Sequence, residues 1–379
     1  MRILHLLRSL DPRSGGTYEG VRTLAASQLA LGCTLETVAL DAPGLVHAMP
    51  GPVHLLGPCA GTYGRCPALD RWLADNLARF SVVLVHGLWQ YHGFAARRAC
   101  LAAHVPYAVF PHGMLDPWFK RTYPLKHLKK WLYWPWGEYR ILRDASRVLF
   151  TAEEERIASR RSFWLYRAHE QVVGFGTAPP PGDATGQRAA FLARFPHLAG
   201  RRLVLFLGRI NPKKGCDLLM RAFRDHGGAL TLVMAGPDPD GLQGRLAALA
   251  GPAAERIAWT GMLTGAEKWG AFRCAEAFIL PSHQENFGVA VAEALACGVP
   301  VLISNRVNIW REIVADGAGL VADDDDAGCA QLLRAWSALS PPQRDAMAGV
   351  AAACFARRFA MDAAATRLDD TLRTLVCTP

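Results

Sequence analysis

The sequence predicts an α/β protein made of two doubly wound, parallel-sheet domains that face each other across a cleft. Three observations predict it. A length of 379 residues favours two domains of ordinary size over one. Short β-rich apolar runs alternate with longer Ala-, Leu- and Arg-rich segments on both sides of the Pro/Gly-rich stretch "GFGTAPPPGDATGQ". The runs are continuously apolar, without in-out alternation, which marks parallel strands covered by helices on both faces. A hydrophobic content of 51% and a charged fraction of 20% supply the cores that such domains need.

In the first half the strand-like runs are residues 3–7, 35–40, 82–86, 107–110, 148–151 and 172–173. The segments "TYEGVRTLAASQLALG", "LDRWLADNLARF" and "FAARRACLAAH" between them read as helices. In the second half the runs are residues 203–207, 229–234, 257–260, 277–280 and 301–303. The expected organisation is a first domain over 1–175, a linker over 176–187 and a second domain over 188–355. A final amphipathic helix within 356–379 is expected to pack back towards the first domain. Residues 289–297 read as a buried helix, stopped by Gly298 with Pro300 just beyond.

Composition excludes several classes. The apolar run before Arg8 is too brief for a secretory segment, and no stretch approaches the roughly 20 apolar residues of a membrane span. None of the ten cysteines sits in a CxxC pair, so reduced, buried thiols in a cytoplasmic protein are expected, not a zinc site or a disulfide frame. Charge is uneven. Residues 1–175 carry 21 basic and 13 acidic side chains, the remainder 21 and 20. Eight of the basic groups fall within 118–147, against two acidic ones.

In open α/β sheets ligands bind beyond the carboxyl ends of the strands, so the loops that follow strands are where chemistry belongs. "LVLFLGRINPKKG" puts Gly208, Arg209, Lys213, Lys214 and Gly215 directly after a strand. Glycine lets backbone come close, arginine grips a phosphate bidentately and lysine adds a point charge. Ser14, Gly15, Gly16 and Thr17 lie between the first strand and first helix, where free amides can hold an anion. No GxGxxG follows the strand, which argues against a nicotinamide or flavin enzyme. Asp323 to Asp326 read as helix-capping and first-turn charge, since four adjacent carboxylates cannot converge on one metal ion. Glu293, inside the apolar helix, needs a partner, because an unpaired buried carboxylate costs several kcal/mol.

Glu285 and Glu293 form an E-x7-E spacing. With "ENFG", the glycine-proline stop and "GRINPKKG", it resembles the retaining glycosyltransferases of the GT-B fold, family 4, with its two Rossmann-like domains. The likeness runs almost throughout Gly208 to Val321 and is looser in the first half. It implies a nucleotide diphosphate sugar as donor, a glycan or lipid-linked acceptor, and no cofactor or metal for the chemistry. It makes His112, Glu285, Arg209 and Lys214 the catalytic candidates, with Lys213 second to Lys214. Glu293 would accept hydrogen bonds from the ribose hydroxyls. Glu285, Asn286, Phe287 and Gly288 would face the donor sugar and phosphates. Arg209, Lys214, Gly15 and Gly16 would neutralise the leaving diphosphate, and Gly261 and Leu263 would meet the base. Asn286 stands where many relatives have glycine, and "GFGTAPP" replaces the usual "PNGVD".

His86, Trp89 and His92 in "VHGLWQYHG" form either an acceptor pocket or packed core. Within 118–147, Lys120, Arg121, Lys126, Lys129, Lys130, Arg140 and Arg143 interleave with Trp118, Trp131, Trp134 and Trp136. Cations with interfacial aromatics suit an anionic membrane surface, which would place the protein on the inner face of the cytoplasmic membrane. The same charge suits nucleic acid, but no nucleic-acid motif accompanies it. The expected activity is sugar transfer, probed against two alternatives, a nucleotide-sugar epimerase and a non-catalytic binder.

Overall fold

The computed structural model describes residues 1–12 and 16–376. The chain divides into two units, Met1–Gly176 with Met361–Pro379, and Thr177–Ala360.

The first unit runs β1 (Arg2–Leu7), α1 (Gly16–Ala30), β2 (Thr34–Ala39), β3 (Val53–Leu55), α2 (Pro67–Asn76), β4 (Val82–His86), α3 (Tyr91–Ala103), β5 (Tyr107–Phe110), α4 (Trp118–Thr122), α5 (Pro124–Tyr133), α6 (Glu138–Asp144), β6 (Arg147–Phe150), α7 (Glu153–Ser159) and β7 (Glu170–Val172). Its seven strands pair in parallel in the order β3-β2-β1-β4-β5-β6-β7. Strand order reverses between β1 and β4, the switch point where a doubly wound sheet opens a crevice. The central strands are buried at every position except Arg2, which opens β1, because helices cover both faces. β3 escaped the sequence reading: it is a three-residue edge strand, half-buried throughout, with no apolar run to announce it.

The second unit runs α8 (Ala184–Arg194), β8 (Leu203–Leu207), α9 (Cys216–His226), β9 (Thr231–Ala235), α10 (Gln243–Ala250), β10 (Ile257–Gly261), α11 (Gly265–Cys274), β11 (Ala275–Leu280), α12 (Val289–Ala296), β12 (Val301–Ser304), α13 (Trp310–Asp316), β13 (Gly319–Ala322), α14 (Asp326–Ala338) and α15 (Pro341–Cys354). Six strands pair in parallel in the order β10-β9-β8-β11-β12-β13, with the reversal between β8 and β11. The expected linker over 176–187 is shorter than the composition suggested. Asp183 accepts from the amides of Thr185 and Gly186 at 3.2 and 2.6 Å, so α8 begins at Ala184.

The second unit also extends past residue 355, through a π-helical turn at Phe355–Phe359. Asp316, at the end of α13, holds that turn through Arg358 at 2.6 and 2.7 Å. The closing helix, α16 (Met361–Val376), belongs to the first unit and packs on α1. Ser27 donates to Asp362 at 2.7 Å, and Arg367 donates to the Val173 carbonyl at 3.0 Å.

Candidate active site

In the second unit the loop that follows β8 meets the loops after β11 and β9, and one glycine permits each approach. Gly215 has φ +66°, and a Cβ there would fall 2.1 Å from the Pro281 carbonyl oxygen. Gly236 has φ +141°, and a Cβ there would fall 1.9 Å from the Gly208 carbonyl oxygen. No residue with a side chain fits either place. The loops after β8 and β11 are then tied: the Lys213 carbonyl accepts from the His283 amide at 2.9 Å and the Ser282 hydroxyl at 3.0 Å. Asn211 caps the short turn that carries Lys214, accepting from its amide at 3.2 Å.

These ties bring the predicted residues together. Lys214 Nζ pairs with the Glu285 carboxylate. Glu285 is itself fixed by its backbone, its amide donating to the Arg306 carbonyl at 2.9 Å and its carbonyl accepting from the Asn308 amide at 3.0 Å. Asn308 Nδ2 also donates to Asn286 Oδ1 at 3.3 Å. Phe287 is buried and packs edge-on to Phe359, and Gly288, at φ +72°, starts α12. Arg209 is exposed and makes no hydrogen bond or ion pair among the described residues. Gly261 is exposed, while its carbonyl accepts from the Gly236 amide at 2.8 Å; Leu263 is buried.

Glu293 sits on the buried face of α12 with its side chain 9% exposed, and Lys268 of α11 donates to it at 2.6 Å. Lys268 is a partner that sequence reasoning missed. It lies 25 positions upstream with no local signal, so only the packing of α11 beside α12 shows it. The four acidic residues 323–326 are each engaged locally. Asp323 accepts from Asn305, Asp324 from Arg306 and His283, and Asp325 from the Gly328 amide, while Asp326 pairs with Arg221. No group of three or more His, Cys, Asp and Glu able to hold a metal occurs among the described residues.

In the first unit, Gly15 lies outside the described residues, as does Ser14, and Gly16 is the first residue of α1. His112 follows β5 in a loop of two left-handed residues, φ +50° and, at Gly113, +74°. The buried Glu155 carboxylate secures it, accepting from the Gly113 amide at 2.6 Å and from the Thr151 amide and hydroxyl at 2.8 and 2.6 Å. This anchor was also invisible in the sequence.

The structure corrects the reading of His86 and His92 as acceptor contacts. They are 3% and 0% exposed, and His92 Nε2 donates to the His86 carbonyl at 2.9 Å inside the core. Trp89 is half-buried at φ +70°, its amide donating to Glu138 at 2.6 Å. One face of its ring is taken by Lys130, 4.4 Å from the centroid.

Burial keeps this region neutral. It pushes His5, His92 and His112 down to about 4 and His86 well below its ordinary value. It pushes the Glu138 carboxyl up to about 8. An unfolded imidazole titrates near 6.5, so between 6.5 and about 4 the unfolded chain binds protons that the folded chain refuses. Stability therefore falls as pH drops through that window. Glu138 works the other way, since its neutral folded form loses stability as pH rises from 4.5 through about 8. Four imidazoles outweigh one carboxyl, so the melting temperature should drop by several degrees between pH 6.5 and 5. A flat or rising profile in differential scanning calorimetry would refute the buried neutral cluster.

Two family models match the chain, "Glycosyl transferase 4-like domain" over residues 15–176 and "Glycosyl transferases group 1" over residues 189–348. Both halves of the chain thus match glycosyltransferase domains, the first unit the 4-like domain and the second the group 1 domain. It is 34% identical over 197 residues to a D-inositol 3-phosphate glycosyltransferase of Nocardia farcinica, covering 48% of this chain and 42% of that one. The chain spans about half the length of the curated relatives it matches.

In three dimensions it resembles sucrose-phosphate synthase from Thermosynechococcus elongatus, with a TM-score of 0.75 and 18% identity over 99% of both chains. It also resembles Anabaena HepE in complex with UDP-glucose, with a TM-score of 0.74 and 16% identity over 99% of this chain and 100% of that one. At these identities the likeness speaks for the fold, which is GT-B.

The first unit carries an exposed apolar face. α5 fully buries none of its own residues, and Leu125, Leu132 and Trp136 are 82%, 63% and 69% exposed. Segment 160–165 extends the face: Trp164 and Leu165 are exposed, and the Trp164 carbonyl accepts from Trp134 Nε1 at 2.7 Å. A cleft of about 630 Å³ opens there, its wall including Lys120, Leu128, Trp131, Arg161 and Trp164. Two of the expected surface residues do not belong to this face. Trp134 is fully buried, and Lys130 folds back over Trp89. Among the described residues no helix is long and apolar enough to cross a membrane.

Proposed function

We propose that this chain is a retaining glycosyltransferase. It moves a hexosyl group from a UDP- or GDP-sugar to a hydroxyl of a glycan or lipid-linked acceptor, in the making of a cell-surface polysaccharide. The observation that carries the reading is the Lys214–Glu285 pair, held where the loops after β8 and β11 are tied at the switch point of the second sheet, with Arg209 exposed on the first of these loops and Glu293 on the helix that follows the second. Cations on one side and a carboxylate on the other suit the two ends of a nucleoside diphosphate. Breaking the anomeric bond pushes charge onto the departing diphosphate, and Arg209 and Lys214 stabilise it there without reorganising. Glu293 accepts from the ribose hydroxyls, sharing them with Lys268. Glu285, set beside Lys214, faces the sugar.

The test is a thermal-shift screen of nucleotides and nucleotide sugars. A nucleotide present at a hundredfold excess over its Kd adds about 2.7 kcal/mol of stability and raises the melting temperature by several degrees. No shift with any of them would overturn the reading. Product analysis then separates transfer from epimerisation, which yields a new sugar nucleotide without any acceptor. Retention is read from the anomeric configuration of the product.

The reading places the acceptor at a membrane. The leucines of α5, Trp131, Trp136 and Trp164 would enter the interface of an anionic bilayer. Lys126, Lys129, Arg160 and Arg161 would lie at headgroup level, each worth about 1 kcal/mol. Leu125→Ser with Leu128→Ser and Leu132→Ser, or Lys126→Glu with Lys129→Glu, should abolish co-sedimentation with phosphatidylglycerol–phosphatidylcholine vesicles. Undiminished sedimentation of both variants would end the membrane reading.

A further inference from the structure

Three imidazoles cross the first sheet in one hydrogen-bonded line. His5 Nδ1 lies 3.0 Å from His86 Nε2, and His86 Nδ1 lies 3.0 Å from His112 Nε2. The rings are nearly coplanar, at 5° and 19°, with centroids 5.2 and 5.3 Å apart, so they join end to end through their nitrogens and do not stack face to face. The backbone makes this line. In the parallel register His5 pairs with Leu84 and His86 pairs with Phe110, so each histidine stands two residues beyond its neighbour's partner and on the same side of the sheet. At the inner end His5 Nε2 lies 2.9 Å from Gln28 Oε1 of α1. At the outer end His112 is only half-buried, and its Nδ1 makes no hydrogen bond among the described residues.

A neutral imidazole donates through one nitrogen and accepts through the other, and an amide oxygen only accepts. With Oε1 turned to His5 and the amide Nε2 buried without a partner among the described residues, Gln28 requires the proton of His5 on Nε2; the opposite amide orientation would put it on Nδ1 and reverse every tautomer along the line. His5 Nδ1 is then an acceptor, so His86 carries its proton on Nε2. His86 Nδ1 is an acceptor in turn, and His112 must carry its proton on Nε2 as well. We propose that Gln28, acting through His5 and His86, holds His112 in a single tautomer whose Nδ1 lone pair accepts a hydrogen bond from a substrate hydroxyl. Gln28 and His5 are then positioning residues for the transfer reaction, and this use of the tautomer rests on the function proposed above. The line is a lock and not a proton wire. A proton entering at His112 would move inward one ring at a time and end as an imidazolium at His5, because the Gln28 amide cannot take it, and His5 is fully buried.

The test is long-range proton–nitrogen correlation NMR of the whole chain labelled with ¹⁵N-histidine at pH 7. His112→Asn identifies the His112 signals by their loss. The expected result is a pyridine-like Nδ1 and a pyrrole-like Nε2 at His112. A proton on Nδ1, or an even mixture of tautomers, overturns the proposal. Gln28→Met keeps the length of the side chain and removes the acceptor, so it should mix the tautomers. It should also lower kcat at least about tenfold, with the nucleotide Kd by calorimetry unchanged. A single unchanged tautomer in Gln28→Met overturns the role of Gln28. Should that variant fail to fold, the spectrum of the unsubstituted chain still decides. The spectrum needs no sugar nucleotide, so the expected pattern in a chain that transfers no sugar would count against the transferase reading and leave the lock standing.

Discussion

Arg209→Ala should lower kcat on the order of 10²-fold or more and leave the melting temperature unchanged. The size follows from the job proposed for it, since removing one preorganised group that stabilises developing negative charge costs about that much in other enzymes. The absence of a stability effect follows from the structure. Arg209 is exposed and forms no pair among the described residues, and such surface substitutions move stability by about 0.5 kcal/mol or less. The residue is therefore held available by the fold without contributing to it.

Lys214→Ala should show the same loss of rate together with a drop in stability, because it also removes the partner of Glu285. Comparing the two variants separates chemistry from folding. Normal turnover in Arg209→Ala, measured with a saturating nucleotide sugar, would remove the phosphate role from this loop.

Glu293→Gln should weaken nucleotide binding by about 10- to 100-fold, the worth of a charge-assisted hydrogen bond exchanged for a neutral one in a largely buried place. The carboxylate is 9% exposed and already bonded to Lys268, so its position is fixed before ligand arrives. The amide keeps the shape and leaves the Lys268 ammonium facing a neutral group, which adds to the loss. Titration calorimetry with UDP and GDP measures it, and affinity equal to that of the unsubstituted chain for both would rule out the ribose role. Because Lys268 is a quarter exposed, part of the charge mismatch is relieved by water, and the variant should still fold.

Much of this was written locally. Apolar runs announced eleven of the strands, because a strand covered on both faces is largely apolar; β2 carries Glu36 within its run, and only the last residue of β7 was marked. The Glu285–Glu293 spacing and the basic loop after β8 were legible because each depends on residues adjacent in sequence and on the rule that loops after parallel strands carry the chemistry. What failed was short or distant. β3 is three residues at an edge, too little burial to leave a pattern. The helical segment over 118–147 was visible, but its periodicity could not tell that Trp134 turns into the core or that Lys130 lies on Trp89.

The sequence by itself determined the class of fold and the position of the candidate loops and of the two spaced carboxylates, since hydrophobic period and turn chemistry act over a few residues. Only the tertiary structure decided who meets whom. Lys268 reaches Glu293 because α11 and α12 lie side by side, and Glu155 anchors the His112 loop from another helix. His5, His86 and His112 form a line because the registers of β1, β4 and β5 place them on one diagonal. Parallel strands are joined through long crossovers, so their registers bring together residues far apart in the chain, and no local pattern can encode those meetings.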